Sequence, residues 1–161
     1  MSKIKLLILI LNIATIVLGQ DKFNFTLNLT NGDSKQFSEY YSDGPVLVNF
    51  WALWCKPCRA EMKSLNEIHN KYKEMGFKII GINQDSPRSE AKVKSYISGY
   101  GIDYDIATDP NKNIFEKFNG QVIPLSILFD KNGEIIYQHT GFFPGDEYEF
   151  EEVVRKALGL K

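Results

Sequence analysis

Two cysteines, Cys55 and Cys58, are the only thiols in the chain, and they stand two residues apart in the stretch NFWALWCKPCRAEM. That spacing is open to three chemistries: half of a zinc site, a small structural disulfide, or a dithiol that exchanges electrons. A zinc site would have to be completed by His69 and His139, whose positions do not resemble the paired ligand spacing of structural zinc modules, so no metal is expected. A purely structural C-x-x-C bond closes too short a loop to constrain the unfolded chain appreciably. The dithiol reading therefore leads.

The elements around the pair decide how it is presented. VLVNFWA reads as a strand apolar on both faces, as at the centre of a covered sheet, and a helix from about Pro57 to Met75 follows it. Cys55 then falls at the helix N-terminus, where unpaired backbone N–H groups and the helix dipole favour an anion. Lys56 adds positive charge, and Pro57 suits the first turn because it has no N–H to leave unsatisfied. Cys55 is the expected thiolate. At 100° per residue, Cys58, Glu61, Leu65, Ile68 and Tyr72 share an inward stripe, while Lys56, Arg59, Lys63, Glu67 and Asn70 lie opposite. Glu61 is the odd member of the apolar stripe, with no cation one turn away. Desolvation there would raise its pKa and let it exchange a proton with Cys58; the alternative is a Glu on the solvent face of a helix whose stripe is drawn slightly differently.

Along the chain, strands alternate with helices in the middle, and a hairpin plus helix closes the end. FNFTLNLTNGDSKQF predicts an N-terminal β-hairpin turning at Asn31-Gly32. KIIGIN, YDIAT, LSILF and IIYQH are further strands. Helices are expected from Ser86-Pro87 with Val93, Tyr96, Ile97 and Tyr100 inward, around Ile114 to Phe118, and at the end with Phe150, Val153, Val154, Ala157 and Leu158 on one face. The fold class is α/β, a mixed central sheet with helices on both sides. A length of 161 residues with 43% hydrophobic content suits one compact domain. A net charge of −1, without a basic patch interleaved with aromatics, excludes the footprint of a nucleic-acid binder.

Residues 1–19 form a separate segment. Lys3 and Lys5 precede an apolar run from Leu6 to Leu18 that is short for a membrane span, and Gly19 offers a cleavage point before Gln20. The segment reads as a signal peptide, or failing cleavage an anchor, ahead of one domain over residues 20–161. The folded part is expected outside the cytoplasm, where thiols tend to be oxidised.

VLVNFWALWCKPCRAEM, together with GINQD, ATDPN, VIPLSILFDKNGEI and TGF, resembles the extracytoplasmic, thioredoxin-like thiol-disulfide oxidoreductases of the TlpA/ResA kind across most of residues 36 to 160. The resemblance implies a thioredoxin-like fold and a redox-active Cys55–Cys58 disulfide with no other cofactor. It assigns attack to Cys55, resolution to Cys58 and proton transfer to Glu61. Val122-Ile123-Pro124 matches the family's cis-proline loop, so Ile123 and Pro124, with Trp54, Lys56 and Pro57, are the expected substrate contacts. It further implies disulfide-containing protein substrates, a membrane electron donor and a monomer, with c-type cytochrome maturation among the family roles. An oxidase or isomerase using the same residues is the alternative, and a metal-binding chaperone a lesser one. Four positions depart from the family or from thioredoxins proper. Asn49 stands where thioredoxins carry a buried Asp, Lys63 where the family has a helix-kinking proline, and Leu125-Ser126 where Thr-Thr is common.

Overall fold

The computed structural model describes residues 23–161, so the expected signal segment and the start of the mature chain lie outside the described residues. A hairpin comes first: β1 (Thr26–Asn28) pairs antiparallel with β2 (Ser34–Gln36), Asn28 facing Ser34. The turn is not the two-residue type that Asn31-Gly32 suggests. Leu29 leaves the ladder, bridges Ala107 and is only 6% exposed, so burying its side chain lengthens the connection to residues 29–33. The longer loop closes on itself through Leu29 N–H to Asp33 O at 2.8 Å and Asp33 N–H to the Asn31 side chain at 3.0 Å.

A short helix, α1 (Ser38–Tyr41), leads into β3 (Val46–Trp51), every residue of which is buried. α2 (Lys56–Tyr72), β4 (Lys78–Asn83), α3 (Glu90–Gly99), β5 (Asp105–Thr108), α4 (Asn113–Lys117), β6 (Leu125–Phe129), β7 (Ile135–Thr140) and α5 (Asp146–Ala157) follow. The sheet order is β5-β4-β3-β6-β7. β3, β4 and β5 run parallel, whereas β6 and β7 are antiparallel to their neighbours. This is the mixed sheet anticipated from the alternation of elements, in the thioredoxin-like arrangement that the resemblance implies.

Both faces of the sheet are covered because β3 is apolar on both, and its alternation sorts the core. Val46, Val48 and Phe50 pack with the hairpin, α1 and α4. Leu47 and Trp51 pack with Cys58, Met62 and Leu65 of α2, Val93 of α3, and Phe150 and Val154 of α5. Asn49, between Leu47 and Trp51 in this alternation, must therefore face α2. The predicted stripe of α2 is buried throughout, from Cys58 through Glu61, Leu65 and Ile68 to Tyr72, and the helix continues unbroken through Lys63. In α3, Val93 points inward as expected, but Tyr100 is 65% exposed. The helix ends at Gly99 and Tyr100 has already left helical geometry, so the 100° count no longer applies to it.

One close approach fixes the entry to β3. A β-carbon on Gly44 would sit 2.4 Å from the Gly76 carbonyl oxygen, a backbone atom with no room to yield. Gly44→Ala is expected to destabilise the protein by about 1–3 kcal/mol, read as a lowered urea midpoint at unchanged slope. An unaltered midpoint would show that this turn shifts freely.

Candidate active site

The loop between β3 and α2 is held from several sides. Gln84 N–H donates to Trp51 O at 2.9 Å, Leu53 N–H to the Asp85 carboxylate at 2.7 Å and Cys55 N–H to Ala52 O at 3.1 Å. The Arg59 guanidinium, one turn into the helix, donates to Leu53 O. So tethered, Cys55 takes extended geometry (φ −85°, ψ 101°) as the N-cap of α2, and its Sγ accepts from Cys58 N–H at 3.2 Å. Cys55 and Cys58 are joined in a disulfide. Pro57 lies in the first turn, which contains no acidic side chain. Lys56 and Pro57 are exposed beside the pair.

The two sulfurs differ in access: Cys55 retains 5% exposure and Cys58 none. Opposite them, the Ile123–Pro124 peptide bond is cis, and the Ile123 carbonyl oxygen lies 3.8 Å from Cys55 Sγ. Pro124 is buried and Ile123 partly so. Trp51 is sealed in the core, whereas Trp54 and Val122 stand out at 68% and 60% exposure. Pro124 O accepts from Gly141 N–H at 2.8 Å, which ties the cis-proline loop to the segment after β7.

Glu61 is fully buried, so the solvent-face alternative does not hold. Its Oε2 accepts from Asn49 Nδ2 at 2.7 Å and its Oε1 from the Ser126 hydroxyl at 2.9 Å, while Asn49 Nδ2 also donates to Ser126 Oγ at 3.0 Å. Burial pushes the Glu61 carboxyl up to about 8; the two hydrogen bonds pull it back, and the negative charge of Asp146 adds to the rise. Asn49 and Ser126 are the functional neighbours that sequence reasoning did not assign. The signal was present in each case as one polar residue inside an otherwise apolar buried strand. Elsewhere, His69 pairs with Asp103 at 2.9 Å and His139 with Asp146 at 3.2 Å. Among the described residues no three His, Cys, Asp or Glu side chains are grouped to hold a metal ion.

Comparison with known proteins identifies the family. Residues 18–138 match the AhpC/TSA family. The chain belongs to that family. Within it, the sequence is 33% identical to the thiol-disulfide oxidoreductase ResA of Halalkalibacterium halodurans over 123 residues, covering 76% of this chain and 68% of that protein. Among solved structures, a Chlorobium tepidum protein provisionally assigned as the thiol:disulfide interchange protein DsbE superposes with a TM-score of 0.78 at 29% identity, covering 86% of this chain and 95% of the other. A second Chlorobium tepidum thiol:disulfide interchange protein of the thioredoxin family gives 0.72 at 26% identity, with 84% and 94% covered. This AhpC/TSA-family chain is thus ResA-like in sequence and thioredoxin-like in fold, and its C-x-x-C pair occupies the junction of central strand and helix.

Proposed function

We propose that this chain is an extracytoplasmic thiol-disulfide oxidoreductase that reduces protein disulfides. The observation that supports this most strongly is the pairing of Cys55 and Cys58 at the N-terminus of α2, directly opposite the cis-proline loop. With the pair reduced, Cys58 N–H and the first turn of α2 stabilise negative charge on Cys55. The Cys55 thiolate attacks a substrate disulfide, expelling one substrate thiolate and leaving a mixed disulfide. Cys58 then yields its proton to Glu61, attacks Cys55 Sγ and closes the Cys55–Cys58 bond, releasing the second substrate thiolate. Two electrons pass from the dithiol to the substrate, and a membrane electron donor returns them. Trp54, Lys56, Pro57, Ile123 and Pro124 supply the contact surface, with the chain acting as a monomer. Maturation of c-type cytochromes is one use for such a reductant outside the cytoplasm, and the basic and apolar N-terminal segment favours that location.

Equilibration with redox buffers tests the direction. The expected result is a metal-free protein that cycles between dithiol and disulfide with a potential towards the about −270 mV of thioredoxin. A value close to the about −120 mV of a dedicated oxidant would move the assignment to oxidase or isomerase, and one tightly bound zinc per chain to a metal-binding module.

A further inference from the structure

Glu61 and Cys58 are both sealed from solvent, so any proton that this pair exchanges with bulk water has to travel through the fold. The need for such a path rests on Glu61 acting as the base. The polar and charged groups around Glu61 are Asn49 from β3, Ser126 from β6, Tyr137 from β7, Asp146 from α5, and Tyr104 just before β5. An Asn amide bonds to the carboxylate without relaying protons, and the buried hydroxyls of Tyr104 and Tyr137 make no hydrogen bond to Glu61 that would carry a path onward. Ser126 is different. Its hydroxyl already donates to Glu61 Oε1 and is able to accept in return. In the β6–β7 register it stands directly opposite His139, which puts both side chains on the same face of the sheet with β-carbons about 5 Å apart. His139 is where solvent first reaches this line: its side chain is 23% exposed, and Asp146 Oδ2 holds its Nε2 at 3.2 Å. Asp146 is itself fixed, because the same oxygen accepts Phe143 N–H at 2.8 Å.

We propose that Ser126 and His139, with Asp146 orienting the imidazole, are the exit by which the proton taken up by Glu61 reaches solvent. Protonated Glu61 passes its proton to Ser126 Oγ as the Ser126 hydroxyl passes its own towards His139, across one bridging water, and the imidazole releases a proton to bulk. One proton moves from Cys58 to solvent and no electrons move in this part of the cycle. Ser126, His139 and Asp146 are positioning and relay residues that never touch the substrate.

The test uses the full-length protein, reduced and reacted with a thionitrobenzoate disulfide, so that departure of the second thionitrobenzoate reports attack by Cys58 on the Cys55 adduct. His139→Ala is expected to slow this step about tenfold at neutral pH, less than the about 100-fold lower bound for a group that transfers the reacting proton itself. Imidazole added to the buffer should restore most of the rate, which a merely structural defect would not permit. Ser126→Ala should show the same slowing, and Tyr104→Phe should match wild type. Wild-type rates in His139→Ala, slowing that imidazole leaves untouched, or slowing in Tyr104→Phe instead would each overturn this exit. Glu61→Gln separates the two levels of inference. If it resolves as fast as wild type, the base assignment falls; if it is slow while His139→Ala is normal, the exit alone falls.

Discussion

Cys58→Ser is expected to accumulate partner proteins bound covalently through Cys55, while Cys55→Ser captures none, and each substitution should lower turnover at least about a thousand-fold. The asymmetry follows from access. Cys55 keeps 5% exposure at the N-cap of α2, with Trp54 and Val122 exposed around it, and Cys58 is sealed beneath. An incoming disulfide therefore reaches Cys55 first, and without a thiol at position 58 the mixed disulfide has no internal nucleophile to resolve it. Non-reducing electrophoresis of extracts reads the adducts directly, and a reductant should collapse them to the free chain. Capture by Cys55→Ser but not by Cys58→Ser would reverse the roles of the two sulfurs and require an opening of the α2 N-terminus that this packing does not show.

How much of the fold and site is legible in the sequence depends on the range of the interaction that fixes each feature. The 3.6-residue stripe that buries Cys58 and Glu61 is a local property of α2, and reading it requires only the spacing of apolar residues in KPCRAEMKSLNEIHNKY. The N-cap position of Cys55 is similarly local, set where an apolar strand meets Pro57. Tyr100 departs from expectation because helical periodicity carries past the last helical residue, and nothing in the side chain itself marks that end. The hairpin loop departs for a different reason. Asn31-Gly32 favours a tight turn, but Leu29 gains more by burial against the sheet beside Ala107, and that contact spans 78 residues of sequence, from 29 to 107. Ser126 is the clearest case of a long-range partner. It meets Glu61 from 65 residues away, so LSILF announces a buried hydroxyl without saying what that hydroxyl bonds. The same holds for Asn49. As a replacement for a carboxylate it subtracts a titratable group from the strand, whereas in the fold it is the donor that keeps the Glu61 carboxylate hydrogen-bonded. Together, Asn49 and Ser126 supply the hydrogen bonds of the buried acid that α2 carries.

Glu61→Gln should remove a pH dependence from both stability and catalysis, because burial holds the wild-type carboxyl near 8 rather than at its ordinary 4.5. The sign follows from proton binding. The folded protein retains a proton that the unfolded chain releases, so this group's contribution is fully present below about 4.5 and is lost as pH climbs towards 8, levelling above it. Within that window wild-type stability should fall by up to about 1.4 kcal/mol per pH unit relative to the variant. Gln does not titrate, has nearly the volume of protonated Glu, and keeps atoms that can bond Asn49 and Ser126, so the variant should be close to wild type at low pH and more stable by several kcal/mol at high pH. Urea denaturation of the oxidised protein at a series of pH values measures the difference. Catalysis should move the opposite way. In the high-pH range where the variant is the more stable protein it lacks the carboxylate that accepts the Cys58 proton, so resolution of the mixed disulfide should be slower by about 100-fold or more and lose the wild-type inflection near 8. A gain in stability joined to a loss of rate at the same pH is the expected signature of a buried base kept at a cost to the fold. Parallel pH profiles for wild type and variant in both measurements would make Glu61 a spectator, and the exit through Ser126 and His139 would then have no proton to carry.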